Sequence, residues 1–168
     1  MTTSTTYLDL ENGIPTQQSA TVSSSGAGDA NKIPRLDASG RLAQNMMPTG
    51  IVPDTKDFAT LETITLGNII NIDATGVRKA DATAANKFKG VGFVIAGFTH
   101  PTTATVYFEG VITGLSGLTI GAEYYLSESA GAVTAVAPST SGAIVQRIGV
   151  AISATELSFE PAQPIVLA

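Results

Sequence analysis

From Phe58 onward the chain consists of short apolar runs, each bounded by Gly, Pro, Asn or Ser. That punctuation predicts strands, and many short strands in succession predict an all-β sandwich or barrel-like domain. The predicted strands span residues 63–66, 69–72, 90–96, 104–110, 123–127, 132–136, 143–153 and 156–159. Period-two alternation places Val91, Phe93 and Ile95 on one face, and sets Val106 and Phe108 against Tyr107 and Glu109. Within 143–153, the bulky Ile144, Ile148, Val150 and Ile152 alternate with the small Gly149 and Ala151. Small residues on the second face let another backbone approach closely. Only residues 80–88 read as helical, with Asp81 as the N-cap.

The residues before Phe58 have a different character. Eleven of the first twenty-five are Ser or Thr, and nine of the ten aromatics lie from Phe58 onward. Apolar residues occur there as isolated anchors: Leu8, Leu10, Ile14, Ile33, Leu36, Leu42, Met46, Met47, Ile51 and Val52. Such spacing does not enclose a core; it suits an extended arm that docks side chains singly onto another surface. Residues 1–57 are therefore read as an arm with little regular structure, and 58–168 as the β-domain. A small hairpin is expected near 26–48, with extended pieces at 32–36 and 41–42 flanking a turn from Asp37 to Gly40. Pro34 and Pro48 keep these pieces off the centre of a sheet. Fully extended, fifty-odd residues reach about 165 Å at roughly 3.3 Å each.

Charged residues make up 14% of the 168 residues, against about 25% in ordinary domains. So few charges clothe a monomer poorly, and burial between copies is the natural remedy; a monomeric domain covered in Ser and Thr is the alternative. The net charge of −5 and the lack of a basic face argue against nucleic acid. Arg78, Lys79, Lys87 and Lys89 form the one local basic group. The absence of cysteine excludes disulfides and thiolate metal sites. The N-terminus lacks the pattern of a signal peptide, and no apolar run approaches the roughly 18 residues of a membrane span. An unexported protein with no membrane partner is expected.

Chemistry is equally sparse, so no catalytic, cofactor-binding or metal-binding residue is assigned. The single histidine, His100, sits in a loop before Pro101, and nucleophilic catalysis wants a base beside its nucleophile. Asp37 to Gly40 carries too few oxygen ligands for a calcium loop and reads as a turn. The glycine-rich start of 90–96 continues as a strand instead of opening a helix, which a dinucleotide site requires. Glu109, Glu123, Glu128, Glu156 and Glu160 are scattered and read as solubilising instead of as a glycosidase pair. In the pair Tyr124–Tyr125 one ring faces inward and the other outward, toward a subunit or a sugar. Tyr124, Tyr125, Gly149 and Ala151 are the candidates for subunit contact.

The run from Leu118 to Leu157 carries Gly121, Tyr124, Tyr125, Leu126, Ser127, Gly131, Thr134, Pro138, Val145, Gln146, Gly149, Val150, Ala151 and Ser153. In this pattern it resembles the β-domain of tailed-bacteriophage capsid decoration (cement) and head-fibre proteins. A second segment resembles the same proteins through Gly26, Gly28, Asp29, Lys32, Ile33, Leu36, Asp37, Gly40, Leu42 and Pro48. The resemblance implies a homotrimeric, non-enzymatic virion protein on the outer surface of the capsid. Its arm would bridge neighbouring major capsid proteins through Leu8, Leu10, Ile14, Ile33, Leu36, Leu42, Met46 and Met47. The alternative it implies is a head fibre or tail appendage that binds a receptor or host-surface glycan.

Overall fold

A computed structural model describes residues 5–47 and 53–168. The chain divides into two compact units, Met1–Val52 and Pro53–Ala168.

The first unit is built on a hairpin. Strands β1 (Thr6–Glu11) and β2 (Ile14–Ser19) pair antiparallel, from Thr6 opposite Ser19 to Glu11 opposite Ile14. The two loop residues both have positive φ, 54° at Asn12 and 81° at Gly13, the conformation that Asn-Gly adopts most readily in a two-residue hairpin. After the hairpin, Thr21 makes an isolated parallel bridge to Pro34, with Thr21 N–H donating to the Ile33 carbonyl and Arg35 N–H to the Thr21 carbonyl. Single 3-10 turns follow at Ala27–Asp29 and Gln44–Met46.

Of the separate hairpin expected near 26–48 only the turn is present, and β1 and β2 fall where an arm with little regular structure was expected. The turn itself forms: Asp37 Oδ1 accepts the N–H groups of Ser39 (2.8 Å) and Arg41 (2.9 Å). No strand flanks it among the described residues, because Ile33 and Arg35 direct their backbone bonds to Thr21 and Pro34 has no N–H to give. Pro48, Ile51 and Val52 lie outside the described residues.

The second unit is an all-β sandwich. Its first sheet runs β3-β7-β6-β4-β5, from β3 (Thr55–Ala59), β4 (Ile69–Asp73), β5 (Gly76–Lys79), β6 (Gly92–Phe93) and β7 (Thr103–Tyr107). Because β3 pairs with β7 along its whole length, residues 55–57 belong to the sheet. The second sheet runs β10-β9-β12-β13-β8, from β8 (Val111–Ile112), β9 (Glu123–Leu126), β10 (Val133–Thr134), β12 (Arg147–Ala151) and β13 (Leu157–Phe159). Between β10 and β12 lies β11 (Ile144–Val145), which pairs separately with β14 (Ile165–Val166) near the C-terminus. Every ladder between named strands is antiparallel.

Two hydrophobic clusters use opposite faces of the first sheet. Ile69 and Phe93 join Ile112, Leu126, Ile148, Leu157 and Phe159 between the two sheets, with Tyr107 stacked on Phe93. The neighbouring residues Ile70, Val94 and Val106 point the other way and pack with Ile64, Val77 and Ala104. An isolated bridge from Thr60 to Val77 curls the sheet round this second cluster. Gly76 permits the approach, since a Cβ there would lie 2.3 Å from the Ala59 carbonyl oxygen. The sheet does not close into a barrel.

Several local expectations are revised by these contacts. In 90–96 only two residues pair as strand, and Val94 is fully buried while Ile95 is 43% exposed. The alternation in 143–153 breaks where β12 shifts register against β9 between Arg147 and Gly149, leaving Ile148 as a bulge residue. Ile148 and Ala151 are consequently buried and Ile152 is half exposed. Residues 80–88 form turns instead of a helix. Ala82 gives its N–H to Ser127 and accepts from Ile144, so neither group is free for a helical ladder. Asp81 still does a capping job locally, accepting the N–H and hydroxyl of Thr83 at 2.8 Å each.

Candidate docking surfaces

The register of the first hairpin sorts its side chains. Thr6, Leu8 and Leu10 share a face with Pro15, Gln17 and Ser19, while Tyr7, Asp9 and Glu11 share the other with Ile14, Thr16 and Gln18. Cross-strand bonds follow this division: Gln17 Nε2 donates to Thr6 Oγ1, and Gln18 Nε2 to Glu11 Oε1. Leu8 and Leu10 are 74% and 71% exposed, on a face without a charged residue. Ile14 is as exposed but lies on the acidic face. Ile33 and Leu36 are exposed, whereas Leu42, Met46 and Met47 are half-buried. The eight expected arm residues thus do not form one continuous stripe on the hairpin.

Between β2 and Pro34 the chain is held by a polar clasp. Asp29 accepts the Ser25 N–H (2.5 Å) and hydroxyl (2.6 Å) on Oδ2, and its Oδ1 pairs with Lys32 at 2.7 Å. The Lys32 ammonium and then the Ser25 donors hold the Asp29 carboxyl well below the ordinary carboxylate range. Asp29 in turn raises the Lys32 ammonium above its usual value. Asn45 closes a second link by donating to the Ser24 carbonyl at 2.6 Å.

In the sandwich, three of the four expected subunit-contact residues are used inside the chain. Tyr124 is 5% exposed and its hydroxyl accepts the Thr119 N–H at 3.0 Å. Gly149 packs against β13, and Ala151 is 1% exposed within the main core. The close backbone approach expected at Gly149 is therefore to the chain's own neighbouring strand. Tyr125 alone reaches the outer face of the second sheet.

There it joins a polar network absent from the sequence expectations. Arg147 Nε meets Glu123 Oε1 at 3.0 Å and its Nη2 meets Glu160 Oε2 at 3.2 Å. Tyr125 donates its hydroxyl to Glu123 Oε2, and Ser158 donates to Glu160 Oε1. The Glu123 carboxylate accordingly pushes the Tyr125 phenol above its ordinary value. Arg147 is the only Lys or Arg after Lys89, which was the available signal. Three members of the basic group around Arg78 have local carboxylate partners: Arg78 pairs with Asp73, and Lys79 and Lys87 both lie near Glu62. His100 spends its Nδ1 on the Thr60 carbonyl at 2.8 Å. Among the described residues, no three His, Asp or Glu side chains converge as metal ligands would.

A cleft of about 500 Å3 opens where the loops around Leu66 and Leu115 meet the β10 region. Leu66, Leu115, Leu118 and Val133 supply apolar wall, Asn68 and Thr134 supply polar rim, and none of its lining residues is charged. No protein-family model matches this chain, and no curated protein matches it in sequence.

Proposed function

We propose that this chain is a structural virion protein that decorates and stabilises the outer surface of a tailed-phage capsid. The supporting observation is a compact first unit that leaves Leu8, Leu10, Ile14, Ile33 and Leu36 exposed, in a chain whose sandwich has its own core. Exposed anchors of this kind gain by covering themselves on a partner, here the major capsid protein. Three copies joined as a homotrimer raise one another's local concentration at the shell, so weak contacts add to firm attachment. Binding to the assembled shell and not to its free parts then stabilises the shell by mass action. The role is mechanical and non-enzymatic, without nucleic acid or membrane.

Deleting residues 1–50 and measuring binding to undecorated capsids tests the attachment. Binding should be lost; undiminished binding removes the first unit from the mechanism. Sedimentation tests the trimer, and a strict monomer both free and on the particle rules it out.

A second reading, a head fibre or tail appendage that binds a host-surface glycan, is favoured by the network around Tyr125. An outward ring beside Glu123, Arg147 and Glu160 offers a stacking platform with hydrogen-bonding groups at its edge. Adsorption competed by the purified protein, with capsid binding absent, would select this reading.

A further inference from the structure

We propose that Asn12 is a site of spontaneous deamidation to aspartate and isoaspartate, protected by the closed hairpin turn and reached when the hairpin opens. The chemistry needs an asparagine carboxamide, a following backbone nitrogen free to attack it, and no side chain in the way. The chain has six asparagines, and only Asn12 is followed by glycine. Asn12 and Gly13 are both exposed, and nothing lies within 4 Å of where a Gly13 Cβ would stand. Among the described residues, neither the Asn12 carboxamide nor the Gly13 N–H has a hydrogen-bond partner, since the ladder ends at the Glu11–Ile14 pair.

The other five asparagines are restrained. Asn45 donates to the Ser24 carbonyl, Asn68 accepts the Thr65 N–H, and Asn71 donates to the Phe88 carbonyl. Asn31 and Asn86 precede Lys32 and Lys87, whose N–H groups are bonded to the carbonyls of Asp29 (3.2 Å) and Ala84 (2.7 Å).

Water is the only co-reactant. The Gly13 nitrogen bonds to Asn12 Cγ, the bond from Cγ to the side-chain nitrogen breaks, and ammonia leaves with the Gly13 proton. Water then opens the cyclic imide at either carbonyl, giving aspartate or, with the main chain rerouted through the side chain, isoaspartate.

Turn geometry sets the rate. Asn12 sits at φ 54°, in the left-handed region, where Cβ lies against the residue's own carbonyl oxygen. The Gly13 nitrogen is on the other side of that carbonyl carbon, so the closed turn keeps the reacting atoms apart. Ring closure requires Asn12 to rotate out of this region, and a two-stranded hairpin opens readily. A hairpin closed by about 1.4 kcal/mol is open roughly a tenth of the time. The two products differ in consequence. Aspartate before glycine still suits the turn and adds a charge next to Glu11. Isoaspartate adds a backbone atom to the loop and displaces the Glu11–Ile14 pair, and with it the register that sets Leu8 opposite Gln17.

The test incubates the full-length protein in mildly alkaline buffer and follows every asparagine by peptide mass mapping, with isoaspartate scored by enzymatic methylation. A free peptide spanning residues 9–16 supplies the rate of the open turn. Asn12 should convert first, about tenfold more slowly in the protein than in the peptide, and urea that leaves the sandwich folded should narrow that gap. The isoaspartate fraction should lose the cross-strand contacts between Leu8 and Gln17 while those of the sandwich persist. No conversion at Asn12, faster conversion at another asparagine, or equal rates in protein and peptide overturns the proposal.

Discussion

The backbone of Gly149 lies against Ser158 so closely that a Cβ on Gly149 would fall 1.7 Å from the Ser158 carbonyl oxygen. Backbone atoms on both sides leave no flexible side chain to move aside. Gly149→Ala should therefore split β12 from β13 locally and destabilise the sandwich by about 3 kcal/mol, the upper end of overpacking costs. Urea unfolding followed by tyrosine fluorescence reads the change. A loss below about 0.5 kcal/mol, ordinary for surface substitutions, would contradict the close packing.

Gln146 is 1% exposed and ties three backbone groups together. Its Oε1 accepts the Gly90 N–H at 2.8 Å, and its Nε2 donates to the carbonyls of Gly90 (2.9 Å) and Ala162 (3.0 Å). Gln146→Leu keeps the volume but strands these groups, at about 1–3 kcal/mol for buried polar atoms left unpaired. Amide exchange at Gly90 should accelerate, and denaturant midpoints should fall.

Gly13 meets nothing within 4 Å that a Cβ would strike, so its value is purely conformational. At φ 81° a β-branched residue is strained, and Gly13→Val should cost the hairpin roughly 1–2 kcal/mol. A two-stranded hairpin has little stability to spare. Cross-strand contacts between Leu8 and Gln17 should weaken in nuclear magnetic resonance spectra while those of the sandwich persist.

The Asp29–Lys32 clasp fixes its own pH window. A depressed Asp29 pKa means that its stabilisation is present above the ordinary value of 3.8 and lost only as pH falls through the lower folded value. A raised Lys32 pKa means that the contribution is present below 10.5 and lost as pH rises through the higher folded value. The turn at Ser25 should thus stay closed from about pH 4 to 10. At pH 3 the Asp29 carboxyl carbon should still report the ionised form, and Asp29→Asn should release the Ser25 amide to exchange. Titration of Asp29 near 3.8 would refute this.

Tyr125 should ionise above the ordinary tyrosine value because its hydroxyl donates a hydrogen bond to the Glu123 carboxylate, whose charge also opposes the phenolate. Glu123→Gln removes the negative charge and should bring the phenol down, as read by ultraviolet titration. An unchanged titration would separate Tyr125 from Glu123.

Much of the sandwich was legible because its signals are local. Ile69–Asp73, Glu123–Leu126 and Leu157–Phe159 are dense in apolar or aromatic residues and end at turn residues, so pattern and pairing agree. Thr55–Ala59 and Gly76–Lys79 are not, since TKDFA and GVRK look polar and form strands through their neighbours. The Asn12–Gly13 turn was present in the sequence, but its strands carry Pro15 and single anchors instead of an apolar run. The docking surfaces were legible only in part: Leu8 and Leu10 stand out as isolated anchors, whereas the cleft joins residues far apart in the chain.

By itself the sequence determined that this chain is all-β, because short punctuated runs suit strands, and that its first fifty residues differ from the rest. Tertiary structure decided which small residues meet. In one dimension Gly149 and Ala151 suit any close approach, but in the fold Gly149 lies against Ser158 of β13 and Ala151 is buried in the core. It also decided that Ile69 and Ile70 feed separate clusters, because adjacent strand residues face opposite sides and both sides of the first sheet are covered.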